Sequence, residues 1–532
     1  MKRAEELTLK EKIGQLYIMG FHGLEMNDVL RTAICEWKVG GFVFGRGNAD
    51  NPFQVKRLIQ DMQNLALETI GIPLLIAVNQ EGGELVNERA GYPTHPGNMA
   101  LGATGSTVVA AEAVSLQSSI LKAMGYTCNF APVLDLQVQP KNTACAIRSF
   151  GDDPATVAAF GKAHIHAQQK IGLAACAKHF PGKGDALKDA HWDSVVINKT
   201  KKELMVAELV PFITAIEAGV DMIMTSHILY PQLDEKNLVT FSDKIIQGLL
   251  RQEMGFKGIV ITDALDMGAL RLRYRPEAAA VRAINAGTDV ILQRHNWKKH
   301  KAILQHLEKA ASNGAISAQR IHEASGRVLA LKARYPHGFA QAPLDWLYGP
   351  ALSRSFSAIA QKAITVVRDN KKLLPLSGIN DKTRVVIIQP FIVRPYKIDM
   401  GRPEMPEMFH ALARAFPDLN NYQIFYTSFD VSDAEIKRIC TAAQSADWVF
   451  AGTFQALANK SQAKLVKKLG KFCKNLIVLS FDTPYDICAF PEIPTYICAY
   501  GMNAELQNAA VAVMTGTVPA VGKLPVSLKE AY

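Results

Sequence analysis

The chain has 532 residues, more than one hydrophobic core usually supports, so we expect two domains. Its composition, with 48% hydrophobic and 20% charged residues, is typical of a globular enzyme, and no run of eighteen or more apolar residues predicts a membrane span. The net charge of +10 comes from dispersed lysines, with no cluster of basic and aromatic residues, and therefore argues against a nucleic-acid partner.

Between residue 7 and about residue 335, short apolar runs alternate with amphipathic helical patterns. The apolar runs cover 40–44, 73–78, 127–136, 171–178, 221–226, 258–263 and 288–293, and the clearest helical patterns cover 155–170, 201–218 and 244–254. Continuous apolar strands separated by helices predict a parallel sheet that is covered on both faces. Such units favour an N-terminal TIM-like (β/α)8 barrel over residues 1–335, and an open doubly wound sheet is the alternative.

The alternation of apolar runs and helical patterns ends after Tyr335, and this change predicts a linker over residues 336–356. A helix over 357–368 and a second α/β alternation then follow. The strands of this second region are predicted at 384–389, 422–427, 448–452, 476–481 and 496–500. The pattern predicts a smaller α/β sandwich domain over 357–532. It contains no glycine-rich phosphate-binding loop, and we expect no cofactor.

Polar residues end or directly follow four of the apolar runs in the predicted barrel. They are Asn79-Gln80-Glu81, Lys178-His179, Thr225-Ser226-His227 and Thr262-Asp263. In a (β/α)8 barrel the active site lies at the carboxyl ends of the strands. These residues are therefore expected to face one another across the mouth of the barrel.

The segment from Lys178 to His191 is the most informative part of the chain. It places two histidines, three lysines and two acids around a Pro-Gly turn. In an extended segment, residues two apart point the same way, so the carboxylate of Asp189 can accept the Nδ1 proton of His191. That bond would fix the tautomer and leave Nε2 for proton transfer. A surface hydrogen bond is the ordinary alternative for such a pair.

A second candidate group, Asp263, lies at the tip of the predicted strand 258–263. A carboxylate that faces a proton-transferring group is what retaining glycoside cleavage requires. The carboxylate attacks the anomeric carbon, while the other group protonates the leaving oxygen and then activates water. An aspartate at a strand end is more often a helix cap, and its pairing with the loop of His191 favours the catalytic interpretation.

Together with the sequence motifs given below, these residues make the chain resemble glycoside hydrolase family 3, and within it the bacterial β-N-acetylglucosaminidases of the NagZ type. The resemblance covers nearly the whole sequence. Its motifs lie at residues 7–16, 72–83, 92–104, 130–135, 148–151, 255–258, 262–265 and 522–527. So many motifs in the same order make the resemblance specific, and it implies a barrel followed by a second domain.

The resemblance also implies roles for individual residues. Asp263 matches the nucleophile of the family, and His191 with Asp189 matches the acid/base pair of the N-acetylglucosaminidase branch. Residues that match sugar-binding positions beside the nucleophile are Arg148, Lys178 and His179. Related β-glucosidases take a glutamate acid/base from outside the barrel, so Asp189-Ala190-His191 favours the N-acetylglucosamine branch.

Three positions depart from the family pattern. Asn79 stands where an aspartate usually binds sugar hydroxyls, so a charge-assisted hydrogen bond becomes a neutral and weaker one. Glu84 occupies a position that is usually arginine, and Lys183 replaces the histidine of Pro-Gly-His-Gly. These departures predict a changed affinity or sugar preference, and they keep a catalytically weakened, carbohydrate-binding homologue as an alternative.

The leading hypothesis is a retaining exo-β-N-acetylglucosaminidase that removes non-reducing terminal N-acetylglucosamine from cell-wall muropeptides during peptidoglycan recycling. A family 3 β-glucosidase or β-xylosidase is the main alternative. A metal hydrolase built on His179, Asp189 and His191 has less support, because no standard zinc spacing is present. We therefore expect a carbohydrate substrate and no metal, and the sequence leaves the oligomeric state open.

The expected location is the cytoplasm. The charged residues 1–6 precede no apolar core of a secretion signal. Eight cysteines are scattered along the chain without a Cys-x-x-Cys pair, which favours reduced, buried thiols over a disulfide framework.

Overall fold

The first part of the chain forms a parallel barrel. The computed structural model describes residues 2–87, 91–187, 195–294, 297–335, 343–391 and 407–528. Within the described residues up to 335, the barrel has eight strands, β1 to β8: Tyr17–Gly20, Gly41–Phe44, Leu75–Val78, Cys128–Asn129, Ala174–Phe180, Met222–Thr225, Ile259–Thr262 and Ile291–Gln293. Each pairs in parallel with its neighbour in sequence from β1 to β7, and β8 pairs with β1. The ring closes where the Thr262 N–H donates to the Val290 carbonyl at 3.1 Å.

The predicted barrel is therefore confirmed, with one strand more than the apolar runs indicated. Strand β1 was not among them because it follows the helix Leu9–Gln15 after a single residue, so its apolar residues merge with the helical pattern. All four residues of β1 are buried. A four-residue strand between a helix and a turn gives too short a pattern to stand out.

Helices surround the barrel, and all but the first follow a strand in sequence. They are Leu9–Gln15, Asp28–Cys35, Pro52–Thr69, Asn98–Ala103, Thr107–Met124, Pro154–Lys170, Lys201–Val206, Leu209–Glu217, Lys244–Glu253 (a π-helix), Gly268–Arg271, Pro276–Asn285, Trp297–Ser312 and Ala318–Arg334. Several begin with a strong cap. Asp153 accepts the Thr156 N–H, for example, and Pro154 occupies the first helical position. No helix in the described ranges is long and apolar enough to cross a membrane.

The helical pattern at 201–218 forms two helices instead of one. Lys201–Val206 ends before Ala207, whose backbone is not helical, and Leu209–Glu217 follows. Pro211 explains the break, because its ring would clash with the carbonyl of the residue four positions earlier, which is Ala207.

The second part of the chain forms a separate mixed sheet. Among the described residues from 343 onwards, this sheet has six strands, β9 to β14: Thr365–Asp369, Val385–Pro390, Tyr422–Thr427, Trp448–Thr453, Leu476–Ser480 and Thr495–Cys498. The order is β9-β14-β13-β12-β10-β11, with β9 antiparallel at one edge and the other pairs parallel. The accompanying helices are Pro350–Ala363, Met408–Ala415, Asp433–Ala443, Lys460–Gly470 and Ala504–Met514. This confirms the predicted α/β sandwich.

The start of this second region differs from the prediction in detail. The helix expected at 357–368 runs from Pro350 to Ala363 and is followed by β9. Pro350 is favourable at the first helical position, and the β-branched Thr365, Val366 and Val367 favour a strand. Part of the predicted linker, 336–342, lies outside the described residues, and the domain boundary stays a prediction.

Residues 522–528, which we call the C-terminal tail, contact the barrel. The Lys523 N–H donates to the Ala103 carbonyl at 2.8 Å, and the Ser527 N–H donates to a carboxylate oxygen of Asp152 at 2.6 Å. The Asp152 N–H in turn donates to the Pro525 carbonyl at 3.3 Å. The tail therefore supports the loop that contains residues 148–152 of the barrel.

Candidate active site

Most of the predicted site residues lie at the carboxyl ends of the barrel strands. Asn79 directly follows β3, and Asp263 directly follows β7. Lys178 and His179 lie in the last part of β5, and Arg148 ends a short 3-10 helix in the loop after β4. The barrel thus brings together residues that are up to 184 positions apart, as 263 and 79 differ by 184.

Glu81 is at the centre of a buried cluster of charges. Its carboxylate accepts two hydrogen bonds from Arg148, from Nε at 2.8 Å and from Nη2 at 2.9 Å. Lys178 Nζ lies 2.5 Å from Glu81 Oε1 and also donates to Asn79 Oδ1 at 2.9 Å. The Glu81 and Lys178 side chains are 1% exposed. One carboxylate therefore holds two buried cations in place.

The charges of this cluster are stabilised by one another. Burial alone would raise the pKa of Glu81, but the Arg148 guanidinium and the Lys178 ammonium outweigh burial and hold that pKa well below its usual range. Burial lowers the pKa of Lys178, and Glu81 opposes this effect. The charged form of Glu81 is thus strongly favoured, as expected for a carboxylate in a bidentate pair with arginine.

His179 is oriented by Asp135, which follows β4 in the chain. His179 Nδ1 lies 2.7 Å from Asp135 Oδ2. The other carboxylate oxygen accepts the backbone N–H groups of His179 at 3.2 Å and Lys183 at 2.9 Å. Burial raises the pKa of Asp135, and the Lys183 ammonium and the two backbone N–H groups oppose this effect. Because these donors surround the carboxylate, we infer that it accepts the Nδ1 proton of a neutral imidazole.

Asp263 is the more exposed acid of the site. Its side chain is 18% exposed, and its Oδ2 lies 3.9 Å from His179 Nε2. The backbone holds it in position, since the Asp263 N–H donates to the Thr225 carbonyl at 3.1 Å and its Oδ1 accepts the Ala264 N–H at 2.7 Å. The carboxylate is therefore fixed at the mouth of the barrel and remains accessible to a ligand.

The predicted pair Asp189 and His191 falls within residues 188–194, which lie outside the described residues. The chain on both sides of this segment is well anchored. Before it, the Gly182 carbonyl accepts the Tyr230 hydroxyl, and Asp185 lies 3.3 Å from Lys199 Nζ. After it, Val195–Val196 pairs with Ile228–Leu229. Whether His191 faces Asp263 stays a prediction.

Sequence reasoning did not assign a role to Glu81 or Asp135. In the sequence, Glu81 is one residue of the polar run after a strand, and Asp135 ends the motif 130–135. The Gly82-Gly83 pair that follows Glu81 is the sequence feature that could have indicated its importance. Both glycines have positive φ, and a Cβ at Gly82 would lie 2.2 Å from the His95 ring. Such a constrained segment indicates that the backbone around Glu81 is closely packed.

This arrangement suits the binding of a polar, uncharged ligand. Arg148, Lys178 and Lys183 contribute cationic donors, while Glu81, Asp135 and Asp263 contribute carboxylates, so the positive and negative charges balance. Fixed donors and acceptors of this kind recognise hydroxyl groups by direction. The site can therefore orient a polyol beside a carboxylate.

Comparisons with known proteins show the family to which this chain belongs. The family profile described as "Glycosyl hydrolase family 3 N terminal domain" matches residues 8–331. A solved structure of a glycoside hydrolase family 3 beta-N-acetylglucosaminidase from Paenibacillus sp. str. FPU-7 is 34% identical, with a TM-score of 0.93 over 98% of this chain and 99% of that chain.

Two relatives are also similar to this chain over both of its parts. Beta-hexosaminidase A of Pseudoalteromonas piscicida is 27% identical over 94% of this chain and 91% of its own length. A protein of Cellulomonas fimi described as "Beta-N-acetylglucosaminidase/beta-glucosidase" is 28% identical over 86% of this chain and 84% of its own length.

Proposed function

The chain belongs to glycoside hydrolase family 3, and we propose that it is a retaining exo-β-N-acetylglucosaminidase. One observation carries the proposal. Asp263, His179 and the Lys178–Glu81–Arg148 cluster converge at the mouth of the barrel, in a chain 34% identical to a family 3 beta-N-acetylglucosaminidase along nearly its whole length. The relatives named "Beta-hexosaminidase A" and "Beta-N-acetylglucosaminidase/beta-glucosidase" support a hexosaminidase, and the second name also includes the β-glucosidase alternative.

In the proposed mechanism, Asp263 is the nucleophile. Its carboxylate oxygen attacks the anomeric carbon, the bond from that carbon to the leaving oxygen breaks, and His191 gives its proton to that oxygen. The same histidine then takes a proton from water, which attacks the anomeric carbon and releases Asp263. The fixed, partly exposed position of Asp263 supports this role.

The proposed role of the buried cluster is to hold the sugar. Arg148 and Lys178 provide cationic donors, and Asn79 and His179 provide further polar groups, at the positions that the family motif assigns to sugar binding. Because Glu81 and Asp135 fix these side chains before a ligand arrives, little conformational entropy remains to be lost on binding.

For the substrate in the cell, we propose muropeptides, which carry N-acetylglucosamine at the non-reducing end. The net charge of +10 is compatible with the peptide carboxylates of such substrates. A role in peptidoglycan recycling, and the cytoplasmic location that it requires, remain predictions.

Hydrolysis of nitrophenyl glycosides tests the proposal. The protein is incubated with the β-N-acetylglucosaminide, the β-glucoside and the β-xyloside, and release of nitrophenol is measured for each. We expect the highest kcat/KM with the N-acetylglucosaminide and, by NMR, a product of β configuration at first release. Release from the glucoside alone, or an α product, would refute the proposal.

A second experiment locates the nucleophile. A 5-fluoro N-acetylglucosaminyl fluoride slows breakdown of the glycosyl-enzyme, so that the covalent adduct accumulates. Peptide mass spectrometry is expected to find the sugar on Asp263. An adduct on another residue would assign the nucleophile elsewhere.

A further inference from the structure

Lys183 places an additional cation next to His179. The Lys183 side chain is buried, and its Nζ lies 3.4 Å from Nε2 of the imidazole. The backbone of Lys183 is held at both its polar groups, because its N–H donates to Asp135 and its carbonyl accepts from Asn142 at 2.9 Å. The ammonium is thus presented to the imidazole by a fixed segment of the chain.

The hydrogen bonds define which nitrogen of His179 faces Lys183. Nδ1 points at Asp135 and carries the proton, so Nε2 has its lone pair directed towards Lys183. An ammonium can donate to this lone pair but cannot accept a proton. Lys183 therefore favours the neutral imidazole and disfavours addition of a second proton at Nε2.

Other charged groups also act on the imidazole. The cations are Lys183, Arg148 and Lys178, and the anions are Asp135, Asp263 and Glu81. Burial is the largest cause that lowers the pKa of His179 well below its usual range, and Lys183 is the next. Asp263 acts in the opposite direction, because an imidazolium 3.9 Å away would pair with its carboxylate.

We propose that Lys183 is a positioning residue that, together with burial, keeps His179 neutral and so prevents the imidazole from forming an ion pair with Asp263. An imidazolium 3.9 Å away would form an ion pair with the Asp263 carboxylate. The ion pair would make this carboxylate a weaker nucleophile toward the anomeric carbon. The inference rests on the proposed function for its catalytic consequence, while the protonation state of His179 can be measured without any substrate.

NMR of histidine-labelled protein tests the protonation state directly. The His179 ring signal is identified by its loss in His179→Gln, and it is followed as the pH is lowered in wild type, Lys183→Met and Lys183→Arg. In Lys183→Met we expect the pKa of the ring to rise by roughly one to three units, as for removal of a nearby like charge. In Lys183→Arg we expect the wild-type titration.

The same titration can overturn the inference. If the His179 ring titrates equally in wild type and Lys183→Met, or is an imidazolium in wild type near neutral pH, Lys183 does not have the role proposed. Lys183→Gln provides a second neutral variant, and circular dichroism verifies that each variant folds.

The pH dependence of kcat/KM tests the catalytic consequence. With nitrophenyl N-acetylglucosaminide, the acid limb of the profile should move to higher pH in Lys183→Met by roughly one unit or more, and should stay in place in Lys183→Arg. A purely structural role predicts the same loss at every pH, which would contradict the inference. If wild type hydrolyses no nitrophenyl glycoside, the proposed function fails, but the NMR titration still decides the state of His179.

Discussion

Glu81 and Arg148 form two parallel N–H···O hydrogen bonds, at 2.8 and 2.9 Å, below the mouth of the barrel. The same carboxylate also neutralises Lys178. In a buried setting, the charge on each partner is tolerated because the other is present. The geometry of the site therefore depends on Glu81, a residue that does not itself need to touch a ligand.

Replacing Glu81 with glutamine should destabilise the barrel. The variant leaves Arg148 and Lys178 buried without their counter-ion, which costs about 3–5 kcal/mol in the free energy of unfolding. Thermal unfolding followed by circular dichroism is the measurement. Glu68→Gln, an exposed position on the helix Pro52–Thr69, serves as the control and should leave the unfolding temperature unchanged. Equal effects of the two variants would contradict the assigned role of Glu81.

Asp263→Ala should lower kcat by about 10³-fold or more, because it removes the proposed nucleophile. The side chain is partly exposed, so the unfolding temperature should change little. Azide added to the variant should restore turnover and give the α-glycosyl azide, identified by NMR. Rescue that yields only the β-azide would exclude Asp263 as the group on the opposite face of the sugar.

Asp135→Asn should lower kcat/KM by roughly 10- to 100-fold, because an amide no longer specifies the proton on His179 Nδ1. The variant retains the size of the side chain, so the loss reflects hydrogen bonding and charge. Asp221→Asn is a matched control. Asp221 is also buried, but it precedes β6 at the other end of the barrel, where it binds Arg334 and Tyr335. The control should reduce stability without changing kcat/KM of the folded enzyme at 25 °C.

Asn79→Asp should lower KM for the N-acetylglucosaminide by about five-fold, which corresponds to about 1 kcal/mol. The substitution supplies a charged acceptor at a position 2.9 Å from Lys178 Nζ and turns neutral hydrogen bonds into charge-assisted ones. Asn79→Ala removes the acceptor and should raise KM. If the aspartate variant binds more weakly than wild type, the asparagine is an adaptation to a different sugar.

The buried Lys332 should make the free energy of unfolding depend on pH, independently of the active site. This lysine is buried in the helix Ala318–Arg334 beside Gln15, and burial lowers its pKa from 10.5 to about 7. Between these values the unfolded chain binds more protons, so the free energy of unfolding should rise with pH, by up to about 1.4 kcal/mol per unit.

The test compares the unfolding temperatures of wild type and Lys332→Met. Near pH 7 and below, Lys332 is charged in the folded state as well as in the unfolded state, so its burial lowers the free energy of unfolding by the full amount. The Lys332→Met variant should therefore unfold at a higher temperature than wild type. The difference should shrink as the pH approaches the usual pKa of lysine. Lys301→Met, at an exposed position, controls for the loss of a surface charge. A difference that does not depend on pH would contradict the titration of Lys332.

Much of the fold could be predicted because buried parallel strands are continuous apolar runs. Strands β2, β3 and β5 to β8 coincide with such runs, and so do most strands of the second sheet. The exceptions have local causes. β1 is four residues long and adjoins a helix, β4 retains only Cys128–Asn129 of a ten-residue apolar run, and β9 follows a helix whose apolar pattern continues into it.

The candidate site was predictable to the extent that its residues end strands. Asp263, Lys178 and His179 belong to this group. The roles of Glu81 and Asp135 could not be predicted from the sequence. The burial of a carboxylate depends on partners far along the chain, such as Arg148, which lies 67 positions after Glu81. Asp189 and His191 lie outside the described residues, and their role remains a prediction.

The C-terminal tail has a consequence for how the protein is made. During synthesis the barrel strands emerge before the tail, whose Pro525 and Ser527 contact Asp152 in the loop that also contains Arg148. A nascent chain that has not yet reached residue 525 therefore lacks these contacts, and deletion of residues 522–528 should make the loop 148–152 less stable.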